Sequence, residues 1–346
     1  MTSLVDKSLL RQGEQADGEP RLLMLETIRE YALERLAESG EEEAMRRQHA
    51  AFFLAMAEEA YPKMRSAETT TWRKRLEVEY DNLRAALRWT LESMEAEMGL
   101  QLAGALFSFW RLRNHPREGR NWLEQVLAQP GAQARTAARA KALRGLGLLA
   151  FVQGDFPEAQ RLLEESVSVG REMGAAGRRE LAHALATLAH VSLLQGNLSA
   201  ARELAEESMQ LFQELGEAWG IALALHHLGK ATVELGDPLA ARSLLEESVA
   251  LFRVAGDRQL LAQSLNALGL VALRQGDNGV ARAQFEEALA VARETGDKKG
   301  TTRHGGHQAE ALTTMRHRIG YSPCLGRQSL FLSAFLVFGS WARLLG

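Results

Sequence analysis

The most regular array of ionisable groups in the chain is four adjacent-glutamate pairs: Glu164-Glu165, Glu206-Glu207, Glu246-Glu247 and Glu286-Glu287. Paired carboxylates can do general acid–base work when their surroundings push their pKa values apart. These pairs instead recur with the repeat described below. Three have an arginine four residues ahead, giving Arg202/Glu206, Arg242/Glu246 and Arg282/Glu286. That is the pattern of a solvated helix face, with each pair worth a few tenths of a kcal/mol. His304, His307, His317 and Cys324 are metal-ligating types, but their spacing fits no standard ligand pattern. No nucleophile stands beside a base, and no Gly-x-x-x-x-Gly-Lys-Ser/Thr occurs, so a phosphate-cradling loop is missing. The chain reads as a non-enzyme with no metal and no cofactor.

The elements that carry these residues follow from a repeat. Gly154, Gly196, Gly236 and Gly276 each sit in a tripeptide that follows an apolar run, at spacings of 42, 40 and 40 residues. Eleven residues before each anchor glycine is Leu143, Leu185, Leu225 or Leu265; eight before is Leu146, Leu188, Leu228 or Leu268. Seven before is a small residue: Gly147, Ala189, Gly229 or Gly269. Five after is Ala159, Ala201, Ala241 or Ala281; twelve after is Ser166, Ser208, Ser248 or Ala288. A second glycine follows at 174, 216, 256 or 296. Apolar residues three, four and seven apart make one helical face. The anchor glycine falls where a first helix must end and reverse, and Asp or Asn beside it can start the second. Each unit is a helix hairpin that buries its apolar face only by stacking on its neighbours.

These units resemble the tetratricopeptide repeat. The first-helix pattern matches Leu225, Leu228-Gly229 and Thr232; the second-helix pattern matches Ala241, Leu245 and Ser248. The family's first-helix Trp is Leu here, its closing Pro is absent, and the period of 40 exceeds the common 34. Long repeats of this kind are similar to those of bacterial regulators and kinesin light chains. The resemblance implies an all-α, right-handed helix-hairpin solenoid whose first helices line a concave groove. Carried onto this chain, the groove residues are Lys141, Arg144, Leu148 and Phe151; His183, Ala186, His190 and Leu193; Leu223, His226, Lys230 and Val233; Gln263, Asn266, Leu270 and Leu273. Cationic, imidazole and amide groups alternate there with aliphatics, which suits an extended peptide of a protein partner or a small effector with an anionic group. Plain surface exposure is the alternative for any single position.

Upstream, residues 9–25 read as a hairpin turning at Asp17-Gly18, after the end of a short helix over 3–10. Residues 26–38 read as an amphipathic helix with Ile28, Tyr31, Ala32 and Leu36 on one face, closed by Gly40. The run from Met24 to Ala32 resembles the end of the winged-helix module of STAND signal-transduction ATPases, especially large ATP-binding LuxR-type transcriptional regulators. Residues 79–87 resemble the stretch before the repeats of the same regulators. The resemblance implies ATPase and DNA-binding domains in a full-length homologue. This chain lacks the phosphate loop, so it reads as the C-terminal part of such a protein, with Met1 an internal or misassigned start. The organisation expected is the end of a winged-helix-like module over 1–40, a helical linker over 41–95 with two helices, five repeat units over 96–298, and an irregular tail over 299–346. The linker helices span Glu41–Tyr61, with Ala50, Phe53, Leu54 and Ala57 facing inward, and Trp72–Met94, with Leu76, Leu83, Leu87 and Trp89. The first unit is divergent, anchored at Asn114 with Leu106, Gly119 and Leu123 in register.

The 346 residues are 46% hydrophobic and 25% charged with a net charge of −3, which argues against a broad nucleic-acid surface. One cysteine excludes an internal disulfide framework and suits a reducing cytoplasm, and no signal peptide opens the chain. The register breaks after Gly300, where Arg316 and Gln308 occupy the next anchor positions. The tail reads foremost as frameshifted or non-native; a hydrophobic cap or a membrane anchor over 330–341 are the other readings, and that run is short for a span. Two function classes remain: the sensing module of a STAND-type regulator, and a free-standing scaffold for protein–protein interaction.

Overall fold

In the computed structural model, residue 7 and residues 9–14, 20–113 and 115–294 are described. The expected helix end over 3–10 lies mostly outside the described residues. So do the turn at Asp17-Gly18, the anchor Asn114, Gly296, and the tail from 299 with its histidines, Cys324 and apolar run. Strands β1 (Leu10–Glu14) and β2 (Pro20–Met24) pair antiparallel, with Leu10 opposite Met24 and Glu14 opposite Pro20. Helix α1 (Glu26–Ser39) ends at Gly40, whose φ of 76° is left-handed. No α1 residue is buried. Tyr31 and Ala32 are exposed, Ile28 and Leu36 half-buried, so the apolar face is only partly covered.

Helix α2 (Glu42–Lys63) buries Ala50, Phe53, Met56, Ala57 and Ala60. The single helix expected over 72–94 is two: α3 (Thr69–Val78) and α4 (Tyr80–Glu92), joined at Glu79. No proline or glycine marks the break; a tertiary contact makes it. Tyr80 turns inward to 4% exposure, and its hydroxyl accepts a hydrogen bond from Trp110 Nε1 at 2.8 Å. Burial pushes the phenol's pKa up to about 12, so it stays neutral.

Five hairpins follow: α5 (Ala96–Leu112) with α6 (Pro116–Ala128), α7 (Ala137–Val152) with α8 (Phe156–Glu172), α9 (Arg178–Leu194) with α10 (Leu198–Leu215), α11 (Ala218–Glu234) with α12 (Pro238–Ala255), and α13 (Arg258–Gln275) with α14 (Asn278–Glu294). First helices touch first helices of the next unit, while second helices pack on the first helices beside them, so the first helices form an inner layer. The anchor glycines 154, 196, 236 and 276 have φ between 81° and 98°, a conformation that side chains with a Cβ rarely adopt. Beside two of them the aspartate caps the second helix: Asp237 accepts from the Ala240 N–H at 3.0 Å and Asp277 from that of Val280 at 3.1 Å.

Two register positions hold each hairpin together. The small residue of the first helix faces the residue nine after the anchor. A Cβ on Gly147 would lie 2.9 Å from Leu163 Cγ, one on Gly229 2.7 Å from Leu245 Cγ, and one on Gly269 2.7 Å from Phe285 Cε1. In the third unit Ala189 faces Ala205, so the extra carbon on one helix is matched by a smaller partner on the other. The serine twelve after the anchor crosslinks the two helices. Ser166, Ser208 and Ser248 donate to the carbonyls of Ala140, Ala182 and Ala222 at 2.7, 2.9 and 2.9 Å. Ala288 has no hydroxyl to do the same.

The array is strongly curved. Arg111 at the end of α5 donates to Gln259 Oε1 at the start of α13, 3.4 Å away, so the first unit reaches the fifth. The turn between α2 and α3 reaches the same region, for a Cβ on Gly256 would meet Ala67 N at 3.0 Å and Ala67 Cβ at 3.1 Å.

Candidate functional site

The inner layer was expected to present an open groove. At its near end the structure fills it with the C-terminal part of α2, because Tyr61 and Arg65 project between the first helices. Lys141 and Arg144 on α7 converge there with His183 on α9. The Arg144 guanidinium donates to the Tyr61 hydroxyl at 2.6 Å and lies 3.4 Å from Glu180 Oε2, while its Nε has no partner among the described residues. Arg65 also donates to the Tyr61 hydroxyl. Its guanidinium carbon stands 4.3 Å from the Tyr61 ring centroid and 4.5 Å from that of Trp219. The Lys141 ammonium stands 3.8 Å over the Tyr61 ring. Burial pushes the Lys141 pKa down to about 8 and that of Arg65 down to about 9, and it lowers Arg144 as well. Trp219 Nε1 donates to Asp257 Oδ2 at 2.9 Å. Asp257 also caps α13 by accepting from the Leu260 N–H at 3.0 Å.

Further along, the rings form a ladder. Phe151 to His190 is 5.2 Å between centroids, His190 to His227 4.9 Å, and His227 to His226 5.1 Å. His226 Nδ1 is 2.9 Å from Ser264 Oγ. His183 stacks edge-on to Phe212 at 4.9 Å, and its Nε2 lies 3.9 Å from Glu217 Oε2. Burial is the main cause that holds His183, His226 and His227 well below the ordinary imidazole value; Arg65 and Arg144 add to it at His183, and Lys230 and His190 at the other two. These rings are therefore neutral at pH 7. Lys230 is half-buried beside them, Gln263 is half-buried, and Asn266 is buried with Oδ1 unpartnered among the described residues.

The structure thus brings Lys141, Arg144 and His183 into one cluster, and Phe151, His190, His226 and Lys230 into a second. Gln263 and Asn266 lie apart on α13. Plain exposure fails as the reading of Arg144, His183, His226 and Asn266, all at most 6% exposed. Tyr61, Arg65, Trp219 and His227 were missed. Tyr61 and Arg65 lie outside the repeats, and His227 lies one residue past the groove register. The glutamate pairs stand on the outer helices as expected of a solvated face. Glu206, Glu246 and Glu286 take the arginines four residues earlier at 2.8, 2.9 and 2.8 Å, while Glu207 and Glu287 reach Arg171 and Arg253 of the preceding unit. Among the described residues no group of three His, Cys, Asp or Glu could hold a metal ion, and no helix is long and apolar enough to cross a membrane.

The fold is an all-α solenoid of tetratricopeptide type. Residues 138–214 and 220–294 match the family described as tetratricopeptide repeat. Proteins of Mycobacterium tuberculosis and Mycobacterium bovis named as HTH-type transcriptional regulators are 34% identical to the chain over 183 residues. The match takes in 50% of this chain and only 20% of the relatives' own length. Among solved structures, a STAND protein with a tetratricopeptide repeat sensor from Pyrococcus horikoshii superposes over 99% of this chain and 46% of its own, with a TM-score of 0.62 at 16% identity. A Rap protein complexed with competence and sporulation factor has a TM-score of 0.55 at 12% identity, over 78% of this chain and 87% of its own.

Proposed function

We propose that this chain is the sensing and interaction module of a STAND-type, LuxR-like transcriptional regulator that works in the cytoplasm. A protein partner or small effector binds the inner groove and biases an ATPase and a DNA-binding domain carried elsewhere in the full-length protein. The observation that carries this reading is the path of α2. The segment that joins the repeats to the region before them also lines the groove through Tyr61 and Arg65. A ligand that rearranges the groove must therefore act on that connection, and a ligand shifts an equilibrium only by contacts that differ between two states. The regulator relatives and the STAND structure of like fold support the assignment. The module itself performs no chemistry and makes no direct contact with nucleic acid.

Two measurements test this. The DNA upstream of codon 1 is expected to encode, in frame, an ATP-binding domain with a phosphate loop; a stop codon directly upstream returns the chain to a free-standing scaffold. In the joined protein, His190→Ala with Lys230→Ala is expected to change the effector response of a promoter reporter while the module still folds, with a lowered but cooperative melt. A reporter indifferent to those substitutions refutes sensing through the groove.

A further inference from the structure

We propose that Tyr61, Arg65, Lys141 and Arg144 form an oxyanion site that takes the carboxylate or phosphate group of the groove ligand. The inference deepens the reading above and rests on it for the identity of the groove as the binding surface.

The argument is an inventory of donors and acceptors. Arg65 and Arg144 both donate to the Tyr61 hydroxyl oxygen. That leaves the phenolic proton to be donated, and no described residue accepts it. Arg144 Nε is buried with nothing to donate to, although its side chain is only 4% exposed. Lys141 has no carboxylate within ion-pair distance among the described residues and rests on the ring of Tyr61. Buried polar groups are almost always hydrogen-bonded, and a buried donor left without an acceptor costs free energy. Arg144 is such a group, and Tyr61, Arg65 and Lys141, half-buried around it, all meet at the Tyr61 side chain.

The chain's own carboxylates do not fill it. Glu180 touches Arg144 through a single 3.4 Å contact. Glu217 pairs with Arg179 at 2.5 Å, and Asp257 is held by Trp219 and the start of α13. Glu58 and Arg111 act on the cluster only at longer range, one on Lys141 and the other on Arg65. Burial is the main cause that lowers the pKa values of Lys141 and Arg65; the neighbouring Arg144 lowers both further, and Glu180 opposes it at both. An oxyanion placed against the Tyr61 hydroxyl would accept from all four groups, and charge-assisted bonds of this kind are the strong ones. Because Tyr61 and Arg65 belong to α2 and its end, and Lys141 and Arg144 to α7, the bound group would pin the upstream segment to the repeats.

The test uses the whole chain and two simple probes, inorganic phosphate and acetate, each exchanged against chloride at constant ionic strength. A saturable rise in melting temperature with either ion is expected, and the ion with the larger effect identifies the ligand group as phosphate or carboxylate. Arg144→Met is expected to abolish the rise. Because that variant loses buried contacts of its own, Tyr61→Phe and Lys141→Gln serve as milder versions, each expected to weaken binding about tenfold, the size of one charge-assisted bond. A second readout follows Lys141 directly by NMR of the dimethylated lysines: the resonance lost in Lys141→Arg should titrate about one unit higher in phosphate than in chloride. No saturable effect of either ion, or an effect unchanged in Tyr61→Phe and Lys141→Gln, overturns the site. That result would leave the sensor reading intact, since its own tests use the upstream DNA and residues His190 and Lys230. An anion effect without an upstream ATPase would do the reverse.

Discussion

The hairpin geometry makes one substitution unusually informative. Replacing Gly229 by Ala adds a single methyl group in the interior of α11. Taken alone, that change favours the helix by roughly 0.5–1 kcal/mol, because glycine loses more backbone freedom on folding. At this position the added Cβ would stand 2.7 Å from Leu245 Cγ and 3.0 Å from its Cδ2. Carbon atoms rest at about 3.5–4.0 Å, so close to 1 Å must be absorbed. Leu245 is fully buried, and overpacking of this kind costs about 1–3 kcal/mol. Gly279 in the first turn of α14 is the uncrowded comparison, since a Cβ there meets nothing nearer than Asp277 Oδ1 at 3.9 Å. The two Gly→Ala variants are expected to differ by the overpacking cost. On thermal melting followed by circular dichroism that is roughly 2–4 °C per kcal/mol for an array of this size, with Gly279→Ala the more stable. Leu245→Ala alone should cost about 2–5 kcal/mol through the cavity it leaves. In that background Gly229→Ala should turn from a loss into a gain, because it recreates the Ala189/Ala205 pair of the third unit. If Gly229→Ala and Gly279→Ala move the melt equally, or if the effect at 229 is the same with and without Leu245, the close helix contact is not what selects glycine.

Other expectations follow from the same register and the same burial. Ser208→Ala should cost about 0.5–1.5 kcal/mol by removing the hydroxyl that donates to the Ala182 carbonyl, whereas Ala288→Ser should be neutral or stabilising; equal effects at both sites would refute the crosslink. His183, His226 and His227 are held neutral, so below about pH 6.5 the unfolded chain binds more protons than the folded one. Stability is then fully present above that pH and falls as pH drops through it, by up to about 1.4 kcal/mol per unit for each ring. His227→Phe should flatten the dependence of the melting temperature between pH 7 and 5, and an unchanged slope would exclude His227 as a contributor. Gly256→Ala should loosen the contact with Ala67 as well as strain a φ of 73°, and is expected to increase amide exchange in the turn between α2 and α3; exchange confined to α12 and α13 would show that the contact carries no load.

The repeats were legible because their demands are local and recur. A left-handed turn asks for glycine, and a close helix contact asks for a small residue at a fixed distance from it. Four copies obeying one register expose both demands without any knowledge of neighbours. What the register concealed was the reason for each position. The serine twelve after the anchor is a hydrogen-bond donor to the facing helix, and the small residue at minus seven is selected jointly with the residue nine after. The break at Glu79 left no trace, because the burial of Tyr80 against Phe109 and Trp110 is a contact between elements and overrides a continuous helical period.

The candidate site was legible by half for the same reason. Lys141, Arg144 and His183 fall on the groove register and could be named from spacing alone. Tyr61 and Arg65 are separated from Arg144 by about 80 residues and sit in, and just past the end of, a helix whose pattern reads as ordinary amphipathic sequence. That helix reaches the groove by packing on α4 and α5, and the curvature that lets Arg111 meet Gln259 brings Trp219 of the fourth unit against Arg65. Curvature accumulates from small rotations at every inter-unit contact, so no single residue encodes it. Here two of the four groups that meet at the cationic cluster come from the upstream segment, so under the proposed function a ligand held there would bias the position of that segment.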